Sequence, residues 1–237
     1  MNGRPILFSA PMIRALLAGR KTQTRRVVKG LNIIEKRVTR LARATQGVGG
    51  AWQIFDGGAP ISDHVRCPYG SPGDLLWVRE TWYQAYRYVP GSTGYSSGAV
   101  YKADDNGMDM NPGWSPNGKG GGWKPSIHMP RRASRLTLRI TDVRVQRLQD
   151  ISWDDAFAEG VVDRGSIDGE PYAHTSVPDV PNTSDHDARQ SYFSLWEAIK
   201  GAGSVNANPF VWALTFDVLR ENMDAVLTHE AAKEKKS

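Results

Sequence analysis

The chain has 237 residues and a formal charge of +5, long enough for one large domain or two small ones and basic enough to favour a polyanionic partner. Its single cysteine, Cys67, excludes an intramolecular disulfide framework and suits a reducing compartment, while five scattered histidines offer no metal-ligand spacing. No apolar leader and no run of membrane-spanning length are visible, so the expectation is a soluble, cytoplasmic protein without membrane partner, metal or cofactor.

In chain order, residues 4–9 read as a short buried strand leading into a helix over 10–18. Ser9 and Pro11 mark that helix start, and Met12, Ile13, Leu16 and Leu17 recur at helical spacing. Gly19 fits the left-handed position that ends many helices. Directly behind it comes Arg20-Lys21-Thr22-Gln23-Thr24-Arg25-Arg26. Residues 14–40 hold nine Lys or Arg against one acid, Glu35. Lysine offers a point charge, arginine a planar fork and threonine a hydroxyl, a mixture suited to a phosphate or a polar base edge. A solvated basic face is the plainer reading of such a run.

A strand over 74–82 follows the turn Ser71-Pro72-Gly73, and residues 135–148 alternate apolar and polar as a strand does. Residues 152–159 read as a helix with a capping box from Ser152 to Asp155. A helix over 191–199 and a strand over 209–219, rich in Val, Trp and Phe, complete the ordered set. Three weakly ordered insertions separate these pieces, near 29–66, 86–124 and 162–189. The tail over 220–237 is charged, without a large apolar face, and is expected to be a frayed helix. The glycines at 118 and 120–122 lack the strand-to-helix setting of a phosphate-binding loop. Together the elements imply an α+β class. The expected form is a small mixed β-barrel with flanking helices and long loop insertions, one domain over 1–219.

Glu80 lies in the aromatic-rich stretch Trp77-Val-Arg-Glu-Thr-Trp-Tyr83. A carboxylate there could act as acid or base, or pair with Arg79 or Arg25. Trp82 and Tyr83 could stack on a base or pack in the core. Glu159 falls at a helix C-terminus, where the helix dipole disfavours a carboxylate unless a cation compensates. His128, with Arg131 and Arg132, could contact phosphate or form a solvated turn.

Three stretches carry a resemblance: Pro5-Ile-Leu-Phe-Ser with Ala18-Gly-Arg-Lys-Thr-Gln-Thr-Arg-Arg, then Gly73-Asp-Leu-Leu-Trp-Val-Arg-Glu, then Leu148-Gln-Asp-Ile-Ser with Asp155-Ala-Phe-Ala-Glu-Gly160. They resemble the ASCH family, which has a PUA-like fold, and the chain looks most like its larger phage-borne members. The resemblance implies a modified nucleoside, nucleotide or RNA as partner. Some ASCH proteins are amidohydrolases acting on N4-acetylcytidine, with a lysine, a threonine three residues later and a distant glutamate as the catalytic set. By motif those positions are Lys21, Thr24 and Glu159 here. Arg20, Thr22, Arg25, Arg26, Glu80, Trp82 and Tyr83 are the expected substrate-binding residues. An RNA-binding module without turnover and a ribonuclease are the alternatives.

Overall fold

The computed structural model describes residues 3–29, 43–46, 51–56, 59–60, 62–88, 95–105, 122–161 and 188–234. The chain opens with β1 (Arg4–Leu7), α1 (Ala10–Leu17) and β2 (Gln23–Val27). Four short strands follow: β3 (Arg43–Gln46), β4 (Ala51–Asp56), β5 (Ala59–Pro60) and β6 (Val65–Arg66). Next come β7 (Leu75–Arg79), β8 (Trp82–Tyr88), β9 (Tyr95–Tyr101) and the long β10 (Thr137–Arg147). The last elements are α2 (Trp153–Ala158), α3 (Ala188–Lys200), β11 (Phe210–Leu219) and α4 (Met223–Glu234).

The fold is mixed α+β, built on a five-stranded sheet in the order β1-β7-β10-β11-β2. It contains a parallel pair, β1 with β7, and an antiparallel pair, β11 with β2. The chain divides into two compact units.

The first unit comprises residues 1–18, 75–138 and 218–237. Its centre is β7, whose Leu75-Leu-Trp-Val run is buried throughout, as expected of a strand covered on both faces. The expected strand over 74–82 is in fact two, because Glu80 and Thr81 interrupt it. Beyond them β8 and β9 form an antiparallel ribbon from Trp82↔Tyr101 to Tyr88↔Tyr95, so the second insertion carries ordered strands. The C-terminal tail is also more than a frayed end. Met223 and Val226 of α4 pack on Leu75 and Trp77, and two such anchors suffice to dock a helix whose other faces are polar.

The second unit comprises residues 19–74 and 139–217. Here β2 pairs with β11 from Val27↔Val211 to Gln23↔Thr215. The first insertion contributes the small sheet β3-β4-β5 with β6 alongside β4, and Trp52 of β4 meets Trp212 of β11 edge-to-face at 6.3 Å. Helices α2 and α3 pack through Leu148, Ile151, Ala156, Val161, Tyr192, Trp196 and Val211. Most of the third insertion and the glycines at 47, 49, 50, 118, 120 and 121 lie outside the described residues.

Candidate active site

The basic turn starts where α1 ends. Gly19 has φ +72°, a left-handed conformation that a side chain resists, and it releases the chain toward β2. The Thr22 N–H donates to the Ala158 carbonyl at 2.9 Å, and the Thr22 carbonyl accepts from the Phe216 N–H at 3.0 Å. These two bonds fix the segment against the end of α2 and against β11.

On that anchored backbone the charged side chains turn inward. Lys21 Nζ donates to Glu159 Oε2 at 2.7 Å and to the Glu159 main-chain carbonyl at 2.8 Å. Glu159 Oε1 accepts from Arg25 Nη1 at 3.1 Å, so each carboxylate oxygen has its own cation. Arg25 Nη2 reaches Asp155 Oδ2 at 2.7 Å, and Gln23 bridges the group, accepting from Arg25 and donating to Asp155 Oδ1 at 3.0 Å. The Arg25 guanidinium also lies 5.8 Å from the centroid of the Tyr192 ring.

Lys21, Arg25 and Glu159 are respectively 1%, 2% and 6% exposed. Lys21, Arg25 and the partly exposed Arg144 face two carboxylates, Glu159 and Asp155, and this pairing is what makes such burial tolerable. Arg25 Nε is buried without a hydrogen-bond partner among the described residues.

Local structure explains the convergence. Alternate residues of a strand share a face, so Gln23 and Arg25 point together toward α2. Helix α2 presents Asp155 and Glu159, four residues apart, on one side. Ser152 Oγ accepts from the Asp155 N–H at 3.0 Å, as the capping signature predicts. The Asp155 carboxylate does not return to the helix start; it turns to Gln23, Arg25 and Arg144. Glu159 is the C-cap of α2, just beyond its last turn.

Burial strips water from the Lys21 ammonium and pulls its pKa below the ordinary 10.5, although the Glu159 carboxylate pulls the other way. Burial pushes Asp155 up, but its Gln23 hydrogen bond and the charges of Arg25 and Arg144 prevail and leave it below 3.8. The Tyr192 phenol is held well above 10.0, by burial first and then by the Glu159 charge.

Thr24, buried on the opposite face of β2 from Arg25, accepts a hydrogen bond from Arg26 Nη1 at 2.9 Å. Arg20 Nη1 reaches the Gly160 carbonyl at 3.4 Å. The register directs the Thr24 and Arg26 N–H groups toward β11 and leaves those of Gln23 and Arg25 on the outer edge of β2.

The remaining sequence candidates belong to the other unit. Glu80, 1% exposed, is gripped bidentately by Arg135, with Nε to Oε1 at 2.9 Å and Nη2 to Oε2 at 3.0 Å. Neither Arg79 nor Arg25 is its partner in that fork; Arg79 donates to the carbonyls of Met129 and Ile127. Burial raises the Glu80 pKa above 4.5 against the pull of Arg135. Trp82 and Tyr83 are both buried and project to opposite faces of β8, Tyr83 against Trp123 with ring centroids 5.1 Å apart.

Sequence reasoning missed Asp155, Gln23, Tyr192 and Arg135 as members of these networks. The spacing from Asp155 to Glu159 on one short helix was the available signal for the first. Among the described residues no group of three or more His, Cys, Asp or Glu is placed to hold a metal ion, and no helix is long and apolar enough to cross a membrane. No protein-family profile, curated protein or solved structure matches this chain.

Proposed function

We propose that the protein is an amidohydrolase acting on an acylated nucleoside or base such as N4-acetylcytidine, with Lys21, Thr24 and Glu159 as its catalytic set. The observation that carries the reading is the Lys21–Glu159 pair: a lysine buried to 1% exposure, oriented by two bonds to one residue, with its pKa depressed by desolvation. Desolvation moves a lysine of that kind toward the neutral form a general base needs. The motif resemblance supports the substrate class, and a PUA-like barrel arrangement of the sheet is part of the same reading.

In this mechanism neutral Lys21 takes a proton from a water molecule and leaves hydroxide as the nucleophile, since the Thr24 hydroxyl lies across β2 from Arg25 and Glu159 and pairs with Arg26. The hydroxide oxygen attacks the acyl carbon, and the carbonyl π pair moves onto oxygen. Thr24 serves by fixing the Arg26 guanidinium, which bonds its Oγ1 at 2.9 Å, as a cation for substrate binding. The edge N–H groups of Gln23 and Arg25, flanking Thr24, are the donors for the tetrahedral oxyanion. Collapse breaks the C–N bond, and the amine leaves with the proton from the Lys21 ammonium. The acyl group departs as the free acid, which ionises to the carboxylate. Glu159 keeps Lys21 in place through both proton transfers.

RNA binding by the basic turn alone is the less favoured reading, because Lys21 and Arg25 already meet internal carboxylates and are not displayed to solvent. The test is incubation of the purified protein and of its Lys21→Ala variant with N4-acetylcytidine, read by mass spectrometry. Cytidine and acetate from the wild type, with none from a Lys21→Ala protein that melts cooperatively, is the expected result. No turnover of this or other N4-acylated cytidines by the wild type overturns the reading.

A further inference from the structure

The first unit contains a pocket of about 290 Å³ that the amide-hydrolysis reading does not use, lined by Trp82, Gln84, Gly98, Ala99, Tyr101, Arg132 and Ala133. The ribbon register explains its composition. Trp82 lies opposite Tyr101 and Gln84 opposite Ala99, and alternate residues of paired strands share a face. That face therefore presents two large aromatic rings, one amide and one methyl group. The small Ala99 leaves the space.

Both rings are held rigidly. Tyr101 Oη donates to the Ala133 carbonyl at 2.9 Å, and the Arg135 guanidinium lies 4.0 Å from the Tyr101 ring centroid. Arg135 is itself locked by Glu80 and by Asp104, which accepts from Nη1 at 2.7 Å. Lys124 Nζ lies 5.5 Å from the centroid of the Trp82 ring, and the Trp82 main chain exchanges hydrogen bonds with Lys124 at 2.7 and 3.2 Å. Neither Arg135 nor Lys124 lines the pocket, so these cations brace the rings from outside it.

Arg132 differs from its neighbours. Arg131 pairs with Asp224, Lys102 with Asp105 and Arg135 with two carboxylates. Arg132 is exposed at the pocket wall, with no hydrogen-bond or ion-pair partner among the described residues. Rigid aromatic rings, an amide that both donates and accepts, and one uncommitted guanidinium together match a flat heteroaromatic ring carrying an anion.

We propose that this pocket binds a single nucleotide, its base against Trp82 and Tyr101, its polar edge at Gln84 and its phosphate on Arg132. The volume lies just below the roughly 300–1,000 Å³ usual for ligand sites, which leaves room for one nucleotide at most. The proposal stands independently of amide hydrolysis, because its readout is equilibrium binding.

The test is calorimetric titration of the full chain with adenosine monophosphate, adenosine and a short single-stranded oligoadenylate. Adenosine monophosphate is expected to bind about tenfold more tightly than adenosine, the difference being the phosphate contact. Arg132→Gln should erase that difference while leaving adenosine affinity unchanged, and Ala99→Phe, which fills the pocket, should abolish binding of both. Arg132 is exposed, so its replacement keeps the test valid even if Ala99→Phe fails to fold. Equal affinity per site for monophosphate and oligoadenylate assigns the pocket to free nucleotides. Markedly tighter, salt-sensitive oligoadenylate binding overturns the single-nucleotide assignment in favour of a strand. Failure of all three ligands to bind, or binding untouched by both variants, overturns the proposal.

Discussion

The Lys21 ammonium spans the side chain and the main chain of one residue, bonding Glu159 Oε2 at 2.7 Å and the Glu159 carbonyl at 2.8 Å. It thereby supplies the cation that a carboxylate at a helix C-terminus requires, and it caps the helix backbone as well. The two effects on the lysine oppose each other. Desolvation favours the neutral amine, while the carboxylate favours the ammonium.

That opposition fixes the sign of the first prediction. Glu159→Gln removes the charge that raises the Lys21 pKa and keeps a hydrogen-bond acceptor. The ascending limb of kcat/KM against pH, which tracks loss of the Lys21 proton, should move to lower pH in Glu159→Gln. In the wild type its midpoint should already lie below 10.5. A limb that stays in place would show that another group supplies the base. The pH–rate profile on an N4-acylated cytidine reads this directly.

Stability should carry the same signature. Between the lowered folded pKa of Lys21 and 10.5, the unfolded chain binds the proton that the folded chain has released. The unfolded state then holds more protons, so folding stability rises with pH across that window and the burial penalty is greatest below it. Urea unfolding of wild type and Lys21→Met at several alkaline pH values should show the gain in the wild type alone.

Asp155 works in the opposite range. Its folded pKa lies below 3.8, so its contribution is complete above that value and is lost as pH falls through the lowered one. Asp155→Asn keeps the N–H that donates to Ser152 Oγ while removing the charge opposite Arg25. The variant should be destabilised by about 1.5–3 kcal/mol at neutral pH, the range for hydrogen bonds to charged groups. It should also lose part of the wild-type dependence of stability on acid pH. Circular dichroism melts at descending pH measure both.

These cases mark how far the sequence could be read. The stop at Gly19 and the start of α2 at Ser152 are local signals, set by backbone conformation and capping chemistry. The Gly-Arg-Lys-Thr turn is legible for the same reason. Its partners were less visible, because Gln23 meets Asp155 across 132 positions and Arg25 meets Asp155 across 130. Local chemistry also offered Asp155 a competing role in a capping box, and the long-range pairing with Arg25 won its carboxylate. The ribbon β8–β9 lies largely in a stretch that reads as an insertion, because glycine, proline, asparagine and serine are dense over 86–124. Its strands are specified by cross-strand aromatic pairs such as Trp82↔Tyr101, which a linear scan does not connect.

The Glu80–Arg135 pair tests whether the first unit depends on a buried charge. Glu80 is almost wholly enclosed, and both its oxygens are taken by one guanidinium. Arg135→Met leaves that carboxylate without its fork, and breaking such a pair from one side costs about 3–5 kcal/mol. Burial has already raised the Glu80 pKa above 4.5 despite Arg135, so loss of the arginine must raise it further. The folded variant then retains a proton that the unfolded chain gives up, and its stability falls as pH rises from 4.5 through the new folded value. Glu80→Gln combined with Arg135→Met removes both charges, and the double variant should recover much of what Arg135→Met alone loses. A double-mutant cycle by urea denaturation gives the coupling. Additive losses would show that Arg135 acts through its stacking on Tyr101 rather than through Glu80.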